Sequence, residues 1–226
     1  MMRVLTFGDI HGCTKAWDTL WASVAPTADD QIVTLGDYID RGPDSRGIID
    51  RLIEIEKQGR LIALIGNHEQ MILDARYEEM AENVWLINGG YDALASYEPS
   101  QSSDLLSTIP SAHWQFLERC RNWHEIESHL FVHASVEPEL PMNQQPLWVL
   151  RWRKLHDPRP HISGKTVVCG HTPQRNGLPL DLGHTICIDT FAYGGQYITC
   201  LDVLSGNYWQ ANQQGETRSG RLREPA

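Results

Sequence analysis

Cysteine is sparse in this chain, and long apolar runs are missing from it. The five cysteines are odd in number and widely spaced, and none forms a C-x-x-C pair. This pattern excludes a disulfide framework and a zinc-thiolate site, so we expect reduced thiols. No apolar run approaches the length of a membrane span, and residues 1–4 lead straight into the first predicted strand. We therefore expect a cytoplasmic protein that does not bind membranes.

Positive charge is also scarce. The chain has 19 lysines and arginines against 29 aspartates and glutamates, which gives a net charge of -10. General nucleic-acid binders neutralise phosphates with lysine and arginine, so we expect no nucleic-acid partner. The 226 residues contain no linker-like or repeated segment and predict a single domain over residues 1–211. Residues 212–226 are polar and are predicted to form a frayed tail.

Four strand-like apolar runs each end in a glycine followed by a polar residue. The runs at 4–7, 31–35, 61–65 and 166–169 lead into Gly8-Asp9, Gly36-Asp37, Gly66-Asn67 and Gly170-His171. Helical patterns between the first three runs predict βαβ units. Because the carboxyl ends of parallel strands lie at one edge of a sheet, we expect the four loops to converge there, where open α/β sheets bind ligands.

The middle of the chain has a different character. Helical patterns at 71–80, 84–97 and 113–120 surround a Ser/Pro-rich break at 98–103, and we interpret residues 70–121 as a helical insertion over the strand edge. Its Asn88-Gly89-Gly90 sequence fits a substrate-facing turn and a break between packed helices equally well. The second half is more β-like, with strand patterns at 125–132, 147–155 and 185–188 and a hairpin over 197–211.

The polar loops offer oxygen and imidazole ligands for a metal. Asp9 and His11 are two residues apart, which puts both side chains on one face of an extended backbone. A set without thiolates suits Mn²⁺, Fe or Zn²⁺ better than Ca²⁺. Of two Gly-His-Thr sequences, only that of His171 follows a strand-like run, so we select His171 over His184. The histidines interpreted as structural are His113, His124, His129, His156, His161 and His184.

These motifs resemble, in order and spacing, those of the phosphoprotein phosphatase family of metallophosphoesterases. The matching sequences are Gly8-Asp9-Ile10-His11-Gly12, Gly36-Asp37-Tyr38-Ile39-Asp40-Arg41-Gly42, Gly66-Asn67-His68-Glu69, His133-Ala134 and Gly170-His171-Thr172, and the match extends beyond Asp189-Thr190. The resemblance implies an α/β metallophosphoesterase fold. In it, two mixed β-sheets pack as a central sandwich flanked by helices, with the active site at the carboxyl ends of the strands.

The resemblance also implies a centre of two divalent metal ions, with manganese favoured and iron or zinc as alternatives. The implied ligands are Asp9, His11 and Asp37 for one metal, and Asp37, Asn67, His133 and His171 for the other. Asp37 would bridge the metals, and a hydroxide between them would attack phosphorus directly. The implied general acid is His68, held by Asp40, and the implied phosphate-binding residue is Arg41.

Three positions depart from the family pattern. A second family arginine follows a Leu-Trp pair, and here both Arg151 and Arg153 follow such a pair; we favour Arg151. Ser135 stands where a glycine usually follows His-Ala, and Phe191 where a glycine commonly follows Ile-Asp-Thr. Neither is an expected metal ligand, and both are expected to reshape the rim of the pocket.

The leading hypothesis is a phosphomonoesterase that acts on phosphoserine or phosphothreonine in proteins, or on a small phosphoester. The alternative is a hydrolase like the symmetrical diadenosine tetraphosphatases. That group commonly lacks an acid at the place of Asp40, and its anhydride leaving group needs less help from an acid. A catalytically silent binding scaffold is disfavoured because every motif ligand is present.

Overall fold

The structure, a computed structural model, describes residues 2–97 and 105–222. Its strands are β1 (Val4–Phe7), β2 (Gln31–Thr34), β3 (Leu61–Ala63), β4 (Trp123–Glu125), β5 (His129–Val132), β6 (Thr166–Cys169), β7 (Leu180–Asp181), β8 (Thr185–Cys187), β9 (Tyr197–Asp202), β10 (Asn207–Asn212) and β11 (Thr217–Arg221). Its α-helices are α1 (Thr14–Val24), α2 (Ser45–Lys57), α3 (Asn67–Ala75), α4 (Glu79–Trp85), α5 (Tyr91–Ala95), α6 (Ser111–Arg119) and α7 (Leu147–Trp152). A kinked segment, Leu86–Gly90, in which Gly89 has a non-helical φ of 119°, joins α4 to α5.

The segment predicted to be a helical insertion, residues 70–121, contains most of α3 and all of α4, α5 and α6. The break predicted at 98–103 lies outside the described residues. Asp44 caps α2 by accepting a hydrogen bond from the Gly47 N–H at 2.8 Å, as helix-capping aspartates do. Among the helices of residues 2–97 and 105–222, none has the length and apolar character that crossing a membrane requires.

Two mixed sheets form the centre of the molecule. The strand orders are β11-β10-β9-β1-β2-β3 in one sheet and β4-β5-β6-β8-β7 in the other. Strands β1, β2 and β3 are parallel, as are β5, β6 and β8, whereas the outer strands pair antiparallel. The prediction of two mixed sheets flanked by helices is confirmed.

Alternate residues of the central strands face different layers. In β5, Phe131 lies in the apolar core between the sheets, whereas Leu130 and Val132 pack on the other face, in the cluster that includes part of α7. In β2, Val33 faces the same core between the sheets, and Ile32 packs with residues of α1 and α2. Because side chains alternate along a strand, the two sheets pack face to face and the helices cover their outer faces.

Residues 147–155 were predicted to be β-like, and this prediction is wrong because they contain α7. Pro146 precedes the helix, and its carbonyl accepts hydrogen bonds from the N–H groups of Val149 and Leu150. A proline at this place is compatible with a helix start, since the first helical N–H groups have no partner within the helix. The apolar residues of the segment bury one helical face, with Val149 and Leu150 inside.

The predicted frayed tail from Asn212 onward is wrong for the described residues up to 222. Strand β11 pairs antiparallel with β10 and forms the edge of the first sheet. The Arg218 guanidinium lies 3.9 Å from the centre of the Tyr197 ring, and its Nε donates to Gln210 Oε1 at 2.6 Å. An edge strand of this kind needs backbone pairing and long side chains but little apolar alternation, so the sequence pattern did not reveal it.

A partly buried ion pair between Arg3 and Asp30, at the amino end of β2, leads to a stability prediction. Asp30 accepts hydrogen bonds from Arg3 Nε at 3.0 Å and from the Thr27 N–H at 2.7 Å, and these bonds hold its pKa well below the ordinary range. The ionised form therefore stabilises the fold above the unfolded pKa of about 4, and this stabilisation is lost as the pH falls below that value. We expect Asp30→Asn to lower the free energy of unfolding by about 2 kcal/mol at pH 7.

Urea unfolding of chelator-treated protein at pH 7 and at lower pH measures this effect. The matched control is Asp18→Asn, because Asp18 pairs with Arg51 at the surface with more than a third of each side chain exposed. Exposed pairs contribute less than about 1 kcal/mol. Equal losses in the two variants, or a loss in Asp30→Asn that grows as the pH falls, would contradict the assignment.

Candidate active site

The loops that follow β1, β2, β5 and β6 meet at one end of the sandwich. Together with the first turn of α3, which follows β3, they bring together two groups of potential metal ligands, His11 with Asp37 and His68, and Asp37 with His133 and His171. Within each group, the ligand atoms all lie within 4.8 Å of one another. Asp37 belongs to both groups, so its carboxylate lies between them.

Backbone carbonyls fix the protonation of the histidines in the second group. His133 Nδ1 lies 2.9 Å from the Leu35 carbonyl oxygen, and His171 Nε2 lies 2.8 Å from that of Trp152. Since a carbonyl only accepts hydrogen bonds, each of these nitrogens carries the proton. The other ring nitrogens, His133 Nε2 and His171 Nδ1, therefore present lone pairs.

Those lone pairs point toward other acceptors. His133 Nε2 and His171 Nδ1 are 3.2 Å apart, and Asn67 Oδ1 lies 3.1 Å from the first and 2.9 Å from the second. Asp37 Oδ1 lies 3.4 Å from His133 Nε2. Acceptors that converge in this way repel one another, and a cation among them would turn the repulsion into attraction. Neutral imidazole, amide and carboxylate groups form a suitable donor set for a divalent transition metal.

The first group also presents an imidazole lone pair beside the carboxylate of Asp37, and here that lone pair accepts a hydrogen bond from Arg41 NH1 at 3.1 Å. His11 Nδ1 lies 2.8 Å from the Ile39 carbonyl oxygen, so Nε2 presents its lone pair to the site. Asp37 Oδ2 lies 3.5 Å from that nitrogen. The two carboxylate oxygens of Asp37 thus face different histidine groups, which is the arrangement a bridging ligand requires.

The charge states also suit metal binding. Burial lowers the pKa of His11 and of His133 and lowers that of His171 to about 4, so all three rings are neutral at pH 7. Burial alone would raise the pKa of Asp37, but the positive charge that the surrounding histidines carry when protonated outweighs it and brings the pKa below its ordinary value. A carboxylate with neutral imidazoles is the ionisation state that binds cations.

His68 and Asp40 form a hydrogen-bonded pair beside the first group. His68 Nδ1 lies 2.6 Å from Asp40 Oδ2, and both side chains are buried. In the described part of the chain, His68 Nε2 is a buried atom without a hydrogen-bond partner. Burial lowers the pKa of His68, but Asp37 and Asp40 outweigh it and raise the pKa on balance. This is the geometry of an imidazole that can give a proton from Nε2.

Comparison with known proteins places this geometry in a family. Residues 2–185 match the sequence pattern of the calcineurin-like phosphoesterases. The chain belongs to this family. It is 34% identical, over 86% of its length and 89% of the relative's, to serine/threonine-protein phosphatase 1 of Salmonella typhimurium.

Two further proteins resemble the chain at lower identity. The symmetrical bis(5'-nucleosyl)-tetraphosphatase of Burkholderia pseudomallei is 26% identical over 60% of this chain and 43% of that protein. A solved cold-active protein-tyrosine phosphatase from a psychrophilic Shewanella species superposes with a TM-score of 0.63 at 17% identity, covering 97% of this chain and 80% of that one. This superposition supports the fold described above for the present chain.

Asp9 lies outside both ligand groups of the phosphoesterase. Its two carboxylate oxygens accept from the His171 backbone N–H at 3.2 and 3.1 Å. Burial and the neighbouring Asp189 raise the pKa of Asp9 well above its ordinary value, and burial raises that of Asp189 to about 7. Two adjacent buried carboxyl groups keep a proton unless a cation compensates their charge. Asp189 was not among the predicted site residues. It nevertheless lies just after β8, as the other polar loop residues lie just after their strands.

The two Gly-His-Thr sequences lie at opposite ends of their strands. His171 follows the carboxyl end of β6 and joins the second ligand group. His184 precedes β8, and its Nδ1 lies 2.9 Å from Thr185 Oγ1. The structure therefore separates the two histidines as the strand-end argument predicts.

The candidate phosphate-binding arginines have different surroundings. Arg41 lies in the site, where its NH1 donates to His11 Nε2 at 3.1 Å and its guanidinium lies 4.6 Å from the centre of the Tyr193 ring. Arg151 is partly buried and donates through Nε and NH2 to Asn122 Oδ1 at 3.2 and 2.5 Å. Burial lowers its pKa from the ordinary value.

Arg153 forms an ion pair with Glu137. Its NH1 lies 2.6 Å from Glu137 Oε1, and it lines a separate cavity of about 320 Å³ together with Ser135. Ser135 is buried and lines this neighbouring cavity. The arrangement favours Arg151 over Arg153 as a second arginine near the site.

Glu69 supports the loop that carries Asp37. Its carboxylate accepts from the backbone N–H groups of Asp37 and Tyr38 at 2.8 Å and of Gly66 at 2.9 Å. A side chain at Gly66 would collide with Asp37 Oδ1, since an ideal Cβ there would lie 2.2 Å from that atom. Glu69 belongs to a sequence motif in which it had no predicted role, and the structure shows that it fixes the backbone of Asp37.

The loop backbones are held in a conformation that costs energy. The non-glycine site residues with positive φ are His11, Asp37, Asp40, Arg41 and His171, with φ between 46° and 73°. Each left-handed residue costs on the order of 1 kcal/mol, and such residues cluster at functional sites. Phe191, at the place of a family glycine, is also left-handed at φ 61°, and its ring contacts that of Tyr193 at 4.8 Å between centroids.

Proposed function

We propose that this phosphoesterase hydrolyses phosphoserine and phosphothreonine in proteins. The pairing of Asp40 with His68, which leaves His68 Nε2 directed into the site, carries the proposal. A serine or threonine alkoxide is a poor leaving group that needs a proton, whereas a phosphoanhydride releases a phosphate that needs less help. The Salmonella relative, named a serine/threonine-protein phosphatase, supports the same substrate class.

The proposed cofactor is a pair of divalent cations, with manganese as the favoured ion and iron or zinc as alternatives. The proposed ligands are Asp9, His11 and Asp37 for one cation, and Asp37, Asn67, His133 and His171 for the other. The converging lone pairs and the ionised bridge support this assignment. When bound, such ions neutralise charge on the phosphate oxygens and lower the pKa of a nearby water.

The side chains of the protein then divide the remaining tasks. Arg41 and Arg151 bind phosphate oxygens, for which a planar guanidinium is suited. His68 gives its Nε2 proton to the leaving oxygen, and Asp40 holds the ring through Nδ1. Water attacks phosphorus on the side opposite the leaving oxygen, so no covalent enzyme intermediate is needed.

A parallel assay tests the proposed function. Metal-loaded protein is compared on phosphoserine and phosphothreonine peptides, diadenosine tetraphosphate and nitrophenyl phosphate. Of the two biological substrate classes, we expect the phosphopeptides to give the higher kcat/KM. A clear preference for diadenosine tetraphosphate would support the alternative reading, and inactivity on all substrates with metal bound would support a scaffold.

Arg41 provides a prediction about phosphate binding. Arg41→Ala should raise KM and lower kcat, with a loss of at least about 100-fold in kcat/KM, because the guanidinium binds phosphate charge in both the ground state and the transition state. Arg41→Lys should recover only part of this loss, since an ammonium cannot make a bidentate contact. Steady-state kinetics on a phosphopeptide measures both values, and a fully active lysine variant would refute the bidentate contact.

Arg151 and Arg153 form a matched pair for a second prediction. Arg151→Ala should raise KM and lower kcat/KM by about tenfold or more, as expected for one charged hydrogen bond. Arg153→Ala should stay within about twofold of wild type, because its charge is paired with Glu137 outside the site. The reverse order of the two losses would reassign the second arginine.

A further inference from the structure

The helical insertion contacts the catalytic pair directly through Trp85. The indole Nε1–H of Trp85 donates to both carboxylate oxygens of Asp40, at 3.0 and 3.1 Å. Both side chains are fully buried. The carboxylate that holds His68 is therefore itself held by a residue 45 positions further along the chain.

His68 and Trp85 hold the carboxylate of Asp40 through hydrogen bonds. Oδ2 faces His68 Nδ1 at 2.6 Å, and the indole N–H is shared between Oδ1 and Oδ2. The shared hydrogen bond fixes rotation of the carboxylate, and the carboxylate fixes the imidazole ring. Removing the indole N–H would leave a buried carboxylate under-satisfied and free to turn, which weakens the orientation of the ring.

The kink at Leu86–Gly90 makes this contact possible. An ideal Cβ at Gly90 would lie 2.7 Å from two carbons of the Trp85 indole, so the ring occupies the space of a side chain there. Gly89, at φ 119°, would meet the Arg41 backbone nitrogen at 2.7 Å if it had a Cβ, and its carbonyl accepts from the Arg41 N–H at 3.4 Å. Gly89 is thus packed against the loop that carries Asp40 and Arg41, and Gly90 is packed against the Trp85 ring.

We propose that Trp85 is a positioning residue for proton donation, acting through Asp40 to hold the His68 ring toward the leaving oxygen. The proposal rests on the proposed role of His68 as general acid. It makes residues 79–95 a part of the catalytic machinery. No contact between Trp85 and the substrate is required.

The first test is Trp85→Phe, which keeps an aromatic ring and removes the N–H. We expect kcat on a phosphoserine peptide to fall about 10- to 100-fold, the size of one hydrogen bond to a charged group, with KM little changed. On nitrophenyl phosphate, whose phenoxide leaves without a proton, the loss should be under about threefold. The control is Trp17→Phe, which removes a buried indole that α1 contributes to the core, and it should affect both substrates equally and slightly.

Coupling to His68 separates positioning from general damage. In a His68→Asn background, Trp85→Phe should cause almost no further loss, because the group it positions has been removed. Equal further loss in that background, or an equal loss on both substrates in the single variant, would overturn the proposal. Gly90→Ala provides an independent variant, since its methyl group would displace the indole, and it should show the same selectivity for the phosphoserine peptide.

A spectroscopic readout keeps the proposal testable if the wild type proves inactive on phosphopeptides, a result that would count against the proposed function alone. In the ¹H–¹⁵N spectrum, the Trp85 indole signal is assigned by its loss in Trp85→Phe. It should shift in Asp40→Asn and stay in place in Asp18→Asn. An indole signal that does not respond to Asp40→Asn would overturn the inferred contact.

Discussion

Asp37→Asn is expected to reduce phosphopeptide hydrolysis by more than about 100-fold and to lower the bound metal below two ions per chain. Its two carboxylate oxygens face different groups, with Oδ1 at 3.4 Å from His133 Nε2 and Oδ2 at 3.5 Å from His11 Nε2. An asparagine keeps the shape but offers one oxygen and no negative charge. Changes outside the ligand shell already cost about 10- to 100-fold, so a shared ligand should cost more.

Asp9→Asn is the matched comparison, because Asp9 lies outside both groups and accepts from the His171 backbone. We expect it to lose less activity and to weaken one metal while keeping the other. Metal content by mass spectrometry and kinetics on the same preparations measure both effects. Equal losses of metal in the two variants would count against Asp37 as the bridge.

His68→Asn is expected to slow hydrolysis of a phosphoserine peptide by about 10²- to 10⁴-fold, the usual contribution of general acid-base catalysis, and to slow nitrophenyl phosphate hydrolysis distinctly less. The reason is the leaving group. An alkoxide must receive a proton, whereas a nitrophenoxide is stable without one. Asp40→Asn should show the same selectivity in weaker form, because it disturbs the ring without removing it.

His184→Asn serves as the control, since His184 lies at the amino end of β8 and should leave both rates near wild type. Metal occupancy must be measured in each variant, because His68 neighbours Asn67 in the chain. If both substrates lose activity by the same factor while the metals remain bound and chemistry limits the rate, His68 binds phosphate and does not donate the proton.

The strands and their polar ends could be predicted because one physical rule covers them. Apolar runs predicted β1, β2 and β6, and a glycine after each marked the point where the chain turns toward the ligand edge. Strand β11 was not predicted because Thr217–Arg221 is a polar edge strand. It is stabilised by backbone pairing with β10 and by the contact of Arg218 with the Tyr197 ring. Residues 147–155 were misread because apolar and aromatic composition alone does not separate a short buried helix from a strand.

The supports of the site could not be predicted from the sequence for a different reason. In the sequence, Trp85 is one apolar position of a helical pattern. Only the tertiary fold brings its indole N–H to the carboxylate of Asp40. Asp189 reads as a turn residue, and its role depends on lying beside Asp9. The left-handed backbone of His11 and His171 has no sequence signal, because residues other than glycine rarely adopt it.

The most direct measurement is a metal titration of chelator-treated wild-type protein, with bound ions counted by native mass spectrometry and phosphoserine-peptide hydrolysis followed in the same samples. Mn²⁺ is the first ion to use, and iron and zinc follow. The proposed dinuclear site predicts no activity without metal, two ions bound per chain, and full activity only when the second ion is bound. Activity in metal-free protein, or full activity with a single ion bound, would contradict it.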